Sequence, residues 1–299
     1  AMTVLILGCG YVGIELGKQL DEAGERVVGV RRSHSGIQEI EAAGFRGIQA
    51  DITDPDALST LPDADTVIYA ASSGGRGADA AREIYVEGQQ AAIAEFADRE
   101  NPPERYLYTS STGVYGDHDG GWVDEETPLD PTTDKTEVLV EAERVALETA
   151  DEHGIDGTVA RLAGIYGPDR YRLDRYIEGP VTEGFLNMIH RDDIAGTIRY
   201  LIAEDCARDE VVLVVDDEPV QKWEFADWLA EECGVDSPPK RTTEERLDEE
   251  GLSEAARRRI QTSKRCSNEK LRELGYEFTY PTFREGYRER IDQFRESET

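Results

Sequence analysis

Lysine is scarce in this chain of 299 residues. Lys18, Lys135, Lys222, Lys240, Lys264 and Lys270 are the only ones, so arginine carries most of the positive charge. Basic residues number 33 against 64 acidic ones, a formal net charge of −31. No basic stripe exists to neutralise a phosphate backbone, which argues against nucleic-acid binding. The acids are scattered along the chain and form no tail, so they read as a solvated surface. A nucleic-acid mimic is the rival reading of the same excess. Self-repulsion at this charge destabilises a fold unless salt screens it. The composition therefore points to a halophile's cytosol and a cytoplasmic protein.

Long apolar runs are also missing, so no membrane span is expected. Ala1 before Met2 reads as a remnant of expression, and the short run "TVLILG" that follows lacks the basic flank of a secretory signal. The four cysteines, Cys9, Cys206, Cys233 and Cys266, form no C-x-x-C pair and have no histidine cluster beside them. They read as buried or incidental thiols, and no metal site is expected.

What is present is an alternation of β-type and helical patterns. Strands are expected at 4–7, 26–30, 66–71, 105–109 and 157–162, and helices at 11–22, 37–43, 79–99 and 135–152. Such βαβ alternation implies a parallel sheet covered on both faces, an α/β doubly wound Rossmann arrangement. After Gly167-Pro168 the pattern loosens. A helix is expected from 191–193 to 203, then the strand "EVVLVVDD", a helix at 222–232, and a break at Pro238-Pro239. The charged stretch 241–259 reads as a mobile lid or as a solvated helix.

"VLILGCGYVG" places Gly8, Gly10 and Gly13 in G-x-G-x-x-G, directly after a strand and opening a helix. Gly8 permits a tight turn, Gly10 lets backbone approach a diphosphate, and Gly13 lets helix and strand pack closely. The diphosphate would rest on the helix N-terminus with Tyr11 and Val12, where free N–H groups attract anions. The second strand ends in Arg31, Arg32 and Ser33, where an acid would greet a free ribose 2′-hydroxyl. Two arginines suit a 2′-phosphate, so NADP(H) is expected over NAD(H). Asp51 and Ile52 are placed to border the adenine. Ala70, Ala71 and Ser72 end the fourth strand beside the cofactor, and the glycine-rich loop after them would flank it.

These residues together resemble the extended short-chain dehydrogenase/reductases, in the nucleoside-diphosphate-sugar epimerase and dehydratase group. The resemblance rests on "GCGYVG", "TVIYAAS", "YTSSTGVYG", "RLAGIYGP", "NMIHRDDIAG" and "SNEKLRELGYEF", in that order and nearly end to end. It implies a Rossmann domain at 2–167, rejoined by a strand at 211–215, and a smaller C-terminal lobe, mainly 168–299, over the substrate. Ser111 matches the family's active-site Ser/Thr, whose hydroxyl would bind a substrate alcohol or carbonyl. Thr112, Tyr166, Asn187 and His190 match positions near the substrate pocket, although a core histidine is an equal reading of His190. Asp193 reads equally as a helix cap or a charge partner. A homodimer through the helices at 79–99 and 135–152 is also implied. The apolar stripe Val138, Leu139, Ala142, Val145 and Ala146 must face the sheet as well, so it does not prove one.

Two departures stand out. The family's proton relay is a tyrosine at a helix start with lysine four residues on, one turn away on the same face. Registered through Glu141–Glu143, these positions hold Lys135 and Leu139, and no tyrosine lies between Tyr115 and Tyr166. Either Tyr115, Tyr166, Lys135 or His190 handles the proton, or the protein binds NADP(H) without turning it over. A third reading makes Tyr115 and Tyr166 packing aromatics. Sugar 4,6-dehydratases of the family carry Thr-Asp-Glu where this chain has "STG" at 111–113, so elimination of water is not expected. The resulting expectation is an NADP(H)-dependent oxidoreductase or epimerase acting on a nucleotide sugar or a related secondary alcohol or carbonyl. The alternative is a non-catalytic NADP(H) sensor or regulator.

Overall fold

The computed structural model describes residues 1–299 in two compact units. The first comprises Ala1–Val114, Asp134–Leu162 and Ile194–Val212. The second comprises Tyr115–Thr133, Ala163–Asp193 and Leu213–Thr299. The two units interleave along the chain. The chain leaves the first unit at Tyr115–Thr133, again at Ala163–Asp193 and finally from Leu213, and most of the helix Arg191–Ala203 belongs to the first unit.

The central sheet has seven strands: β1 (Thr3–Leu7), β2 (Arg26–Arg31), β3 (Arg46–Gln49), β4 (Thr66–Tyr69), β5 (Arg105–Ser111), β6 (Asp156–Leu162) and β7 (Glu210–Val214). Their order is β7-β6-β5-β4-β1-β2-β3, and the registered pairs from β6 to β3 are all parallel. Apolar runs such as Val4–Leu7 form central strands because both faces are covered, leaving no side for polar residues. The winding reverses between β1 and β4, and a crevice opens at the carboxyl ends of strands at such a reversal.

Helix α1 (Tyr11–Glu22) follows β1 and α2 (His34–Ala42) follows β2. The helical stretch 78–97 covers β4 and β5 and is widened by a π-turn at Glu83–Glu87. Its cause is local: the Tyr69 hydroxyl donates to the Ile84 carbonyl, which an α-helix would give to the Gly88 N–H. A Cβ at Gly88 would stand 2.3 Å from the Tyr69 oxygen, so only glycine admits the ring. A second helical stretch runs over 134–152.

The second unit has short pairings and an aromatic core. Gly164–Tyr166 pairs in parallel with Met188–His190, and Phe185–Leu186 runs antiparallel to Val220–Gln221. Tyr166, Phe225, Phe283 and Tyr287 fill its centre, with the Tyr166 and Tyr287 rings stacked 4.8 Å apart. The stretch expected as a lid or solvated helix forms two helices, Thr243–Leu247 and Glu254–Gln261, neither with a buried residue. No helix is long and apolar enough to cross a membrane.

Candidate functional site

In the first unit the glycine loop joins β1 to α1. Gly8 has φ +79°, and a Cβ there would fall 2.3 Å from Ala71 Cα, so the turn after β1 lies directly against the end of β4. The strand β4 ends at Tyr69 rather than at the expected 71, the Ala70 N–H still donates to the Leu7 carbonyl of β1 at 2.9 Å, and Ala71 is the residue that meets Gly8. Gly13 packs tightly, its built Cβ 3.1 Å from Ile6 Cγ2 and 3.2 Å from Cys9 Sγ. Gly10 differs: nothing lies within 4 Å of a Cβ built there. The three glycines thus divide into two packing positions and one facing open space, as a diphosphate cradle requires.

Gly10 caps α1 without a side-chain hydrogen bond, and the first turn, with Tyr11 and Val12, contains no acidic residue. The first turn of α2 contains none either. In a chain with 64 acids, two helix N-termini free of carboxylates keep their positive ends available to anions. Helix α2 starts at His34, earlier than the sequence pattern indicates, because the Ser33 hydroxyl accepts the Gly36 N–H at 3.1 Å and caps it.

Arg31 and Arg32 differ in availability. Arg31 is partly covered and pairs with Glu39, Nη1 to Oε2 at 2.7 Å. Arg32 is exposed, and its carbonyl accepts the Gln49 side-chain N–H. Asp51 accepts both the Thr53 N–H and its hydroxyl, which holds its carboxyl below the ordinary value, and Arg32 adds to that effect. Arg32, Ser33 and Asp51 are exposed and Ile52 partly covered at this edge of the sheet. Cys9 lies beneath the loop, and burial raises its thiol to about 12, so it is inert there.

Ser111 ends β5, and its hydroxyl accepts the Gly113 N–H at 3.1 Å. The fold brings Thr136, which sequence reasoning missed, beside it: a Cβ on Gly113 would stand 3.4 Å from Thr136 Cγ2 and 3.5 Å from Ser111 Oγ. Lys135 occupies the first turn of the helix over 134–152. Behind Ser111, the buried Ser110 hydroxyl donates to Glu143 at 2.6 Å, and Glu143 also receives Arg161. This buried cluster joins β5, β6 and the helix over 134–152. Its only sequence signal was the "EAE" used to set the register.

The remaining expected residues lie in the second unit, apart from Thr112, which is buried at the end of β5. Tyr115 is wholly buried and its hydroxyl donates to the Asp124 carbonyl at 2.6 Å. Tyr166 is buried too, and burial raises its phenol far above the ordinary range, with Asp216 the next cause. So high a value keeps the Tyr166 phenol protonated near neutral pH. Asn187, expected at the substrate, spends its amide on backbone: Nδ2 donates to the Lys264 carbonyl at 2.9 Å and Oδ1 accepts the Cys266 N–H at 2.8 Å. His190 accepts the Asp192 N–H on Nδ1 at 3.0 Å, which fixes that nitrogen as unprotonated, and its ring stacks on Tyr280 at 3.9 Å. Burial depresses it to about 4. Asp193 does not pair with a cation; it accepts the Tyr276 hydroxyl and the Thr279 and Tyr280 N–H groups. No group of three or more His, Cys, Asp or Glu residues is arranged to hold a metal ion.

Similarity to known proteins follows the same lines. The chain is 29% identical over 292 residues to the protein YeeZ of Escherichia coli K12, covering 93% of this chain and 96% of that one. A conserved protein of unknown function from Silicibacter pomeroyi superposes with a TM-score of 0.75 at 29% identity, over 99% of both chains. The UDP-glucose 4-epimerase of Thermotoga maritima, solved with UDP-glucose, has a TM-score of 0.80 over the full length of both chains at 19% identity, a likeness of fold. Residues 4–211, which carry the glycine loop, Ser111 and all of the sheet but Thr3 and residues 212–214, match the NAD dependent epimerase/dehydratase family model, and the chain belongs to that family.

Proposed function

We propose that the protein binds NADP(H) on the glycine loop and acts on a nucleotide sugar or a related secondary alcohol or carbonyl. The observation that carries this reading is the pair of acid-free helix N-termini, at Gly10 and at Ser33, in a strongly acidic chain. The first suits the diphosphate and the second a ribose 2′-phosphate. Arg32 meets that phosphate directly, and Arg31 reaches it by exchanging its Glu39 partner. Bound there, the nicotinamide supplies hydride transfer with a substrate carbon. Ser111 orients the substrate oxygen through its hydroxyl, which stays free to donate because it only accepts from Gly113. Lys135 is the nearest match to the missing tyrosine and takes over the proton at the reacting oxygen. Water elimination is not assigned, since 111–113 lacks an acid and a base.

A second reading, a non-catalytic NADP(H) sensor, is favoured by one observation: the helix over 134–152 holds no tyrosine, and Tyr115 and Tyr166 are packed phenols. Small molecules released on denaturing protein prepared in molar KCl, identified by mass spectrometry, test both. NADP(H) with a sugar nucleotide supports the enzyme, and NAD alone contradicts the cofactor assignment. Substrate turnover that Ser111→Ala abolishes, with NADPH affinity retained, excludes the sensor.

A further inference from the structure

Sequence alone leaves 241–259 open between a lid and a solvated helix, and the two helices that form there are held differently. The first, Thr243–Leu247, is anchored. The strand Lys240–Arg241 before it pairs with Val181–Thr182, and Arg241 Nε donates to the Thr182 hydroxyl at 2.7 Å. The Thr243 N–H donates to the Glu183 carboxylate at 2.8 Å. The second helix, Glu254–Gln261, has eight residues, none of them buried. So short a helix is marginal in water on its own, and this one has no buried apolar face to dock it. Two guanidinium groups reach out from it instead. Arg257 donates to the Leu247 carbonyl at 2.9 Å, which ties it to the first helix. Arg258 donates to the Thr132 carbonyl, 126 residues away in sequence, and pairs with Glu254 one turn back at 2.8 Å.

The chain on either side suits movement between fixed points. Before the helix, Gly251 has φ +81°, with nothing within 4 Å of a Cβ built there. After it, Thr262 is already extended, at φ −87° and ψ 121°. Ser263 beyond is fixed: its N–H donates to the Asp117 carboxylate at 2.9 Å, its carbonyl accepts the His118 and Gly120 N–H groups, both at 3.0 Å, and its hydroxyl accepts the Phe185 N–H at 3.3 Å. The helix and the segment 115–133 border a cavity of about 380 Å³ lined by Asp117, Thr132, Arg258, Gln261 and Thr262. Arg258, Gln261 and Thr262 belong to the helix and its C-cap, and Asp117 and Thr132 to the facing segment. Every one of these side chains is polar, so the cavity suits a polar solute.

We propose that the helix Glu254–Gln261 is a lid on this cavity, turning about Gly251 and Thr262 and latched by Arg258 on the Thr132 carbonyl. The latch joins the two walls of the cavity, so releasing it opens the space between them. One charge-assisted hydrogen bond then governs the opening, and a segment with no buried residue opens without unfolding the rest of the unit. The lid lies wholly in the second unit and does not depend on the cofactor assignment.

The test is amide hydrogen exchange of the full chain in molar KCl, read by mass spectrometry on peptides covering 254–261 and on the helix Lys222–Cys233, whose Phe225, Ala226, Leu229 and Ala230 are buried. Arg258→Gln should speed exchange of 254–261 roughly tenfold or more and leave 222–233 unchanged. Glu254→Gln removes the pairing within the helix and keeps the latch, so it should speed exchange only about twofold. Exchange of 254–261 that is unchanged in Arg258→Gln makes this a solvated helix and overturns the lid. So does exchange of 254–261 and 222–233 that rises in step, which makes the helix part of the folded core. Equal effects of Arg258→Gln and Glu254→Gln place the control in the helix itself and overturn the latch.

Discussion

Glu143 and Arg161 form an ion pair, Nη2 to Oε1 at 2.7 Å and Nε to Oε2 at 3.0 Å, with each side chain only 5% exposed. The Ser110 hydroxyl supplies a further hydrogen bond to Glu143. The pair links the helix over 134–152 to β5 and β6 just beneath Ser111. Removing one partner leaves the other as a buried, uncompensated charge. Glu143→Leu should therefore lower stability by about 3–5 kcal/mol, whereas Glu143→Leu with Arg161→Leu should cost less than either single change. Denaturant melts of the three variants decide it, and simple additivity of the two single costs would contradict the pairing.

The two glycines of the loop separate folding from binding. Gly8→Ala should destabilise by more than about 2 kcal/mol, because its Cβ meets the Ala71 backbone at 2.3 Å and φ is positive. Gly10→Ala should melt like wild type yet lose NADPH affinity, since its methyl group enters the space assigned to the diphosphate. Melting and titration of both proteins check this, and equal melting losses would remove the distinction.

Cofactor choice rests on the arginines after β2. Arg32→Ala should weaken NADPH binding roughly tenfold or more and leave NADH unchanged. Glu39→Gln should strengthen NADPH binding, because it frees Arg31 from its 2.7 Å ion pair. Affinities that respond equally for both cofactors would place the 2′-phosphate elsewhere.

His190 makes the second unit sensitive to acid. Burial takes it from the ordinary 6.5 to about 4, with Asp192 opposing the shift and Arg191 reinforcing it. Tyr166 and Tyr280 face the ring from the other packed elements. The folded value lies below the unfolded one, so the unfolded chain binds the proton first. This contribution is complete above pH 6.5 and declines as pH falls towards 4. His190→Asn, which keeps an acceptor at the helix start, should lose less stability than wild type across that window. Parallel losses in urea melts would show that other groups set the acid limit.

Salt should stabilise the fold. A net charge of −31 repels itself, and screening shortens that repulsion. The melting temperature should rise steadily as KCl goes from about 0.1 M to about 2 M; a flat response would disconnect the acid excess from salt.

The parallel sheet was legible because buried strands read as unbroken apolar runs, and the glycine loop because its residues do local work. Boundaries were less so: the strand read to 71 stops at Tyr69, and Ala71 meets Gly8, a contact distant in sequence. β3 (Arg46–Gln49) is short and polar and gave too weak a pattern to delimit. Thr136 beside Ser111 depends on how a helix docks, which periodicity does not specify. In the second unit, "NMIHRDD" pointed to a pocket, while Asn187 and Asp193 are spent on backbone groups 77 to 87 residues away in sequence. Such bonds carry no local signal.

The most direct measurement is a calorimetric titration of the wild-type protein with NADPH and with NADH in molar KCl. The account predicts saturable binding of both, tighter for NADPH, with Arg32→Ala bringing the two affinities together. Tighter binding of NADH, or no binding of either, would contradict it.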